Sequence, residues 1–327
     1  MSLDARLLKA LRGSDVHLLP GELAEQLGVS LQQLEAALAE LRAAGFDIET
    51  KPGMGCRLIG APDRIIADDL LSRIEECAVA REIVVFAETN STNDVALRLG
   101  REGHRGALAI FAERQTAGRG RFGRRWESAD HAGLWFSLLL RPPWPMAQWP
   151  RLTTWAGVCL ARAIERFVSV PARVKWPNDV LVNGRKVAGI LIESAMDSEG
   201  KPFVVMGAGI NVNQEDFPPE LDGRAGSLRQ STGNKLDRAE IATAILTELG
   251  RNWEVVGADF PVIVREAERR SALLGTWIAL HTGAETVEGI VEALDENGQL
   301  LLRMQSGELR CMTAGEVTTR AMPATRD

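Results

Sequence analysis

Val180-Leu181-Val182-Asn183-Gly184-Arg185-Lys186-Val187-Ala188-Gly189-Ile190-Leu191-Ile192 sets two apolar, β-branched runs on either side of an Asn-Gly pair. Asn and Gly both accept the positive φ that a two-residue hairpin turn needs. The segment therefore predicts two antiparallel strands joined by the tightest common turn. Outward from it, strand-like runs are expected at 83–87, 107–112 and 134–140, and again at 203–206 and 210–212. Amphipathic helices are expected over 151–167 and 237–256. Hairpins between neighbouring strands, with helices interspersed, predict a mixed or largely antiparallel sheet and an α+β fold across 63–270.

The two ends read differently. Leu7, Leu8 and Leu11, then Leu23 and Leu27, then Leu34, Leu38 and Leu41 mark three short helices. Ser30 caps the third, and Gly28-Val29-Ser30 is the tight turn between the second and third. An alternating stretch around Lys51-Pro52-Gly53-Met54-Gly55 completes a winged helix-turn-helix over 1–62. From 271 to 327 only short strand patterns occur, with turns at Asn297-Gly298 and Ser306-Gly307, which predicts a small SH3-like β-barrel. A chain of 327 residues is too long for one ordinary core, so three domains (1–62, 63–270 and 271–327) are expected.

Composition sets limits on function. No apolar run approaches the ~20 residues that span a bilayer, and no signal peptide is visible. The cysteines Cys56, Cys77, Cys159 and Cys311 are scattered without a CxxC pair, which favours reduced thiols in a cytoplasmic protein over a zinc site. With a net charge of −6, any binding of polyanions must be local rather than global.

One segment breaks that acidic balance. Between Arg114 and Arg125 stand five arginines and no acid, interleaved with Gly118, Gly120 and Gly123. Guanidinium forks suit phosphates and carboxylates. The glycines permit close backbone approach and positive φ. Four further segments carry polar chemistry. Thr89-Asn90-Ser91-Thr92-Asn93-Asp94 opens a helix; its short polar side chains serve as caps, or as partners for a small polar group. Lys175-Trp176-Pro177-Asn178-Asp179 is either a plain turn or a carboxylate and amide presented to a cation or base. Lys175 and Lys186 are two of only six lysines among 38 basic residues. Gly207-Ala208-Gly209-Ile210-Asn211 follows a strand, and its glycines serve packing or ligand approach equally well.

Taken in this order, the segments resemble the signatures of the biotin protein ligases: Ser91-Thr92-Asn93, Gln115 with Gly118-Arg119-Gly120-Arg121 and Trp126, Lys175 to Asp179, Lys186 to Ile190, and Gly207 to Asn211. The winged helix before them and the small barrel after them resemble the bifunctional branch that is both ligase and biotin-operon repressor. The resemblance implies a biotin pocket lined by Ser91, Thr92, Asn93, Gln115, Arg119, Gly120, Arg121, Lys186 and Gly189. It implies a nucleotide side formed by Arg121, Arg124, Trp126, Asn178, Asp179 and Asn211, with Arg121 and Lys186 nearest the reacting atoms. Biotin and ATP are the implied substrates. Mg²⁺ would arrive with ATP, near Asp179, with no dedicated metal site. The implied reaction makes biotinyl-5′-adenylate and passes biotin to a lysine of a biotin carboxyl carrier protein, a subunit of acetyl-CoA carboxylase. A homodimer of the adenylate-bound form and operator DNA are further implied partners. One departure is Phe122, at a loop position usually polar or basic.

Within the family reading, a lipoate ligase or octanoyltransferase is the rival enzyme, and a non-catalytic biotin-sensing repressor the rival from another class. The arginine loop, the Lys175 to Asp179 segment and Lys186 favour the biotin ligase. DNA binding is less well supported by charge. Residues 1–60 hold six Lys or Arg against eight Asp or Glu, a net of −2. Phosphate neutralisation supplies much of DNA affinity. Ser30, Gln32 and Gln33 on the third helix and Lys51 and Arg57 on the wing are the candidate contacts, glutamine being suited to adenine edges. Operator binding and a purely structural winged helix both remain open at this point.

Overall fold

The structure is a computed structural model that describes residues 1–128, 131–283 and 285–320. The last seven residues of the expected C-terminal domain lie outside that range. The chain begins with α1 (Leu3–Arg12), α2 (Pro20–Leu27), α3 (Leu31–Ala43) and the hairpin β1 (Asp47–Lys51) with β2 (Gly55–Gly60). The predicted leucines of all three helices meet in one core with Phe46 and Ile48. Each fully buried leucine there contributes roughly 2 kcal/mol. Gly28 ends α2 at φ +66°, where a side chain is disfavoured.

After the linker helix α4 (Ala67–Arg73) comes a seven-stranded sheet. Its strands are β3 (Glu82–Thr89), β4 (Leu108–Gln115), β5 (Gly133–Leu140), β6 (Arg173–Lys175), β7 (Asp179–Val182), β8 (Arg185–Met196) and β9 (Pro202–Asn211). They run in the order β3-β4-β5-β9-β8-β7-β6, with only β3 and β4 parallel. The hairpin that opened the reading is present: Val182 pairs with Arg185, and Asn183 and Gly184 turn at φ +51° and +75°. The runs 203–206 and 210–212 belong, as expected, to one strand, β9. Every position of β5 is buried, as expected of a central strand covered on both faces.

Helix α5 (Thr92–Arg101) packs on one face with Leu108, Ile110, Leu139, Phe203 and Val205. The other face carries the main core with α6 (Arg151–Glu165), α8 (Arg238–Arg251), α9 (Trp253–Ala258) and α10 (Phe260–Arg269); α7 (Leu228–Thr232) is a short connector. The helix predicted over 237–256 is two helices. The chain breaks at Asn252, whose amide turns back to bond the Glu248 carbonyl at 2.8 Å, a local competition that Asn side chains often win at helix ends.

The C-terminal strands β10 (Trp277–His281), β11 (Thr286–Leu294), β12 (Leu300–Met304), β13 (Leu309–Met312) and β14 (Glu316–Thr319) form a five-stranded antiparallel sheet in the order β13-β12-β11-β10-β14. Its core includes Trp176 from the central unit, whose indole N–H donates to the Gly298 carbonyl at 3.1 Å. Polar ties hold the N-terminal unit: Arg12 pairs with Asp69 of α4, the Ser2 hydroxyl donates to Asp68 at 2.6 Å, and Arg64 donates to the Ala44 carbonyl at 3.4 Å. Among the described residues no helix is long and apolar enough to cross a membrane. Cys56, Cys77 and Cys159 are buried free thiols, and Cys311 is an exposed one.

Candidate active site

The ends of β4, β8 and β9, the start of α5, the arginine loop and the edge of β14 enclose a cavity of about 970 Å³. All five sequence segments reach it. Ser91, Thr92 and Asn93 are buried at its floor; Ser91 stands at the N-cap of α5 but its side chain makes no capping bond, so of the two roles read for this run side-chain capping by Ser91 is not found. The helix start is held instead from outside: the Thr92 amide donates to Gln115 Oε1 at 2.8 Å, and Gln115 Nε2 donates to Ser128 at 3.1 Å. Behind the floor lies Ser137 of β5, fully buried, with its hydroxyl 2.7 Å from Thr92 Oγ1 and 2.6 Å from Asn93 Oδ1. Asn93 Nδ2 donates to Glu193 at 2.7 Å.

The arginine loop folds over this floor. Arg119 makes a two-pronged contact with Glu193 at 3.0 and 2.8 Å and a further pair with Asp94 at 2.8 Å. Arg121 donates to Asn178 Oδ1 at 3.0 Å and reaches the Gly315 carbonyl, while Arg124 pairs with Glu316. Burial pushes the Arg121 guanidinium below its ordinary value, against the opposing pull of Asp179 and Glu316. The Arg124 bond holds the Glu316 carboxyl below its usual range and raises Arg124. Phe122 is exposed and stacks against Arg121, 4.9 Å from ring centre to guanidinium. Positive φ falls at Phe122 and Gly123, whereas Gly118 and Gly120 do not use it. A side chain at Gly118 would meet the Trp126 carbonyl, so close packing explains that glycine.

Packing also explains the glycines of the two strands. A Cβ on Gly209 or Gly189 would strike the Trp126 indole, and one on Gly207 would strike Asn93. Trp126 thus lies in a slot of missing side chains, 5.2 Å beneath the Lys186 ammonium and edge-on to Trp135. Its own indole N–H is buried without a partner among the described residues. Lys186 is 2.7 Å from Asp179 Oδ1, in charge-pair rather than hydrogen-bond geometry. The Asn178 amide donates to the Ile190 carbonyl and that of Asn211 to the Gly226 carbonyl, both at 3.0 Å. A backbone pairing of Lys186 with Arg224 and Gly226 brings the segment 220–225 to the cavity rim.

Against known proteins, the model of the biotin/lipoate A/B protein ligase family matches residues 85–211, and an HTH domain model matches 5–57. The bifunctional ligase/repressor BirA of Bacillus spizizenii is 33% identical over 289 residues, spanning 88% of this chain and 89% of that protein. The chain belongs to the biotin/lipoate A/B protein ligase family. The biotin–[acetyl-CoA-carboxylase] ligase of Mycobacterium tuberculosis is 35% identical over 246 residues, 72% of this chain and 88% of that one. Among solved structures, the Aquifex aeolicus biotin protein ligase in complex with biotin and ATP superimposes with a TM-score of 0.64. It shares 31% identity and covers 74% of this chain and all of its own.

Every residue that the resemblance assigns to the biotin or nucleotide side lines the cavity, whereas Gly118, Val187, Ala188 and Ile210 of the signature segments do not. Missed in the sequence were Ser137, Glu193, and Gly315 with the β14 residues Glu316 to Thr319. Ser137 carried a signal, as the lone polar residue within an otherwise apolar strand. The DNA candidates lie on the N-terminal unit and do not line the cavity. Ser30 and Gln33 bond each other reciprocally as a capping box, Ser30 Oγ to the Gln33 amide at 3.2 Å and Gln33 Oε1 to the Ser30 amide at 2.9 Å. Gln32 is exposed; Lys51 pairs with Glu49 at 3.2 Å, and Arg57 donates to the Asp15 carbonyl.

Proposed function

We infer that this chain is a biotin protein ligase, activating biotin with ATP and transferring it to a lysine of a biotin carboxyl carrier protein, and that its winged helix serves biotin-responsive repression. The convergence of Arg119, Arg121 and Lys186 on one cavity, over the buried polar floor of Ser91, Thr92 and Asn93, carries the reading. In the first step a biotin carboxylate oxygen attacks the α-phosphorus of ATP. A C–O–P bond forms and pyrophosphate leaves. In the second, an acceptor lysine amine attacks the acyl carbon, and AMP leaves as the amide forms.

Neither step requires a covalent bond to the protein. Lys186 and Arg121 supply fixed positive charge where negative charge collects on the carboxylate and phosphate oxygens. Ser91, Thr92, Asn93 and Gln115 hold the ring of biotin, Gly189 gives its chain room, and Arg119 and Gly120 belong to the covering loop. Arg124, Trp126, Asn178, Asp179 and Asn211 form the nucleotide side. A mixed anhydride hydrolyses in water, so a loop closing over it also preserves it. Among the described residues no group of three or more His, Cys, Asp or Glu is arranged to hold a metal. Magnesium belongs in this reading to Mg-ATP, and Asp179, whose Oδ1 here faces the Lys186 ammonium at 2.7 Å, is the carboxylate assigned to it.

We further propose the division of labour as 1–62 for DNA, 63–270 for chemistry and 271–327 for closure, in a cytoplasmic protein that dimerises when the adenylate is bound. ATP–pyrophosphate exchange tests the core of this. Exchange driven by biotin supports the assignment, exchange driven only by lipoate rejects it, and biotin binding without exchange makes the chain a sensor rather than an enzyme.

A further inference from the structure

Glu193 touches both walls of the active site with one carboxylate. Its side chain on β8 is three-quarters buried, and Oε2 accepts from Asn93 Nδ2 at 2.7 Å on the floor side. Toward the loop, its two oxygens receive the Arg119 fork at 3.0 and 2.8 Å. Asn93 in turn has its carbonyl oxygen 2.6 Å from the Ser137 hydroxyl, with no room to withdraw because Gly207 lies directly against it. The chain Ser137–Asn93–Glu193–Arg119 is therefore continuous from the sheet interior to the covering loop. It also fixes which end of the Asn93 amide faces which neighbour.

We propose that Glu193 is a positioning residue that couples occupancy of the biotin pocket to closure of the arginine loop, acting through Asn93 on one side and Arg119 on the other. This rests on the ligase reading above. A neutral amide at this position weakens the link. Its oxygen can still accept from both Asn93 and Arg119 Nη2, as Oε2 does, but the NH₂ group in place of Oε1 then faces Arg119 Nη1, a second donor, and the charge that holds the fork is gone. Charge-assisted bonds of this kind are worth about 1.5–3 kcal/mol, or roughly 10- to 150-fold in an equilibrium. Asp94, on an exposed turn of α5, supplies the second carboxylate to Arg119 but does not touch Asn93, so it steadies the loop without linking it to the floor.

Wild-type exchange with biotin is measured first, and its absence overturns the ligase reading and this proposal with it. With exchange present, Glu193→Gln raises the KM for biotin about tenfold, lowers kcat less than about threefold, and increases free biotinyl-AMP in solution. In an Arg119→Gln background the same change has less than about a twofold effect, because the partner it acts through is gone. Glu193→Asp, with the charge on a shorter arm, recovers part of the biotin KM. Unchanged KM and leakage in Glu193→Gln overturn the proposal, as do additive effects in the double variant. If Gln and Asp variants lose biotin KM equally and melt at equally lowered temperatures, Glu193 is a purely structural residue and the coupling is rejected.

Discussion

The arginine loop and the winged helix are both places where this acidic chain presents cations, and both hold them in ion pairs or hydrogen bonds. In the loop, Arg119, Arg121 and Arg124 are held by Glu193, Asn178 and Glu316, and the three arginines line one cavity together with Asn178 and Glu316. In the winged helix, Arg6 bonds the Leu27 carbonyl, Arg12 pairs with α4, Arg42 bonds Ile48 and Thr50, and Lys51 pairs with Glu49. The same side-chain chemistry thus has two outcomes. Pairs that surround an enclosed space can exchange their partners for an incoming anion, whereas pairs that stitch elements together have structural duties to keep. An arginine's function is set by what its neighbours enclose, and its pairing alone does not reveal it.

The contrast is broken most directly at Lys186. Lys186→Ala is expected to depress biotin-dependent pyrophosphate exchange by about 10²- to 10³-fold, with little change in the melting temperature. Near-normal exchange would place the reacting atoms elsewhere. Arg121→Gly comes next: leakage of biotinyl-AMP into solution should rise by about tenfold, read by trapping with hydroxylamine, and tight retention would remove the covering role of the loop.

Acid sharpens the comparison on the loop side. Because its bond to Arg124 depresses the Glu316 carboxyl, the tether is fully present above the ordinary glutamic value of about 4.3 and is lost as pH falls through the lowered one. Loop retention should therefore hold from neutral pH down to about pH 5 and weaken below it, while Glu316→Gln leaks a few-fold more at neutral pH and shows no further acid step of this origin. The smallest effect is expected on the winged helix. Lys51→Ala should weaken operator binding only a few-fold and reduce the salt slope by about 1, measured by mobility shift at several ionic strengths. A loss comparable with that of Lys186 in its own assay would erase the distinction between the two regions.

What could be read in advance was whatever depends on near neighbours in sequence. The Asn183-Gly184 hairpin, the Ser30 cap and the leucine stripes of the first three helices follow from turn chemistry and periodicity, and they stand in the structure as expected. The arginine loop was legible because its composition contradicts that of the whole chain. Glu193 was not, since nothing in its own strand says that β8 lies within reach of both α5 and the loop. The run at Ser91 allowed two readings for a related reason. Capping is a local rule, and Ser91 here lines a cavity assembled from distant segments. The break at Asn252 and the four-residue strand β14 are below the length at which periodicity speaks.

Trp176 makes the C-terminal sheet more than an appendage. Its indole is packed in that sheet's core and hydrogen-bonded to Gly298, while two residues further along the backbone come Asn178 and Asp179. A chain shortened to end before 271 would leave this large aromatic ring bare, with its N–H unanswered, at the wall of the cavity. Such a fragment would be a damaged ligase rather than a minimal one, and searches for a smaller biotinylating tool from this scaffold are better begun by trimming the N-terminal sixty residues.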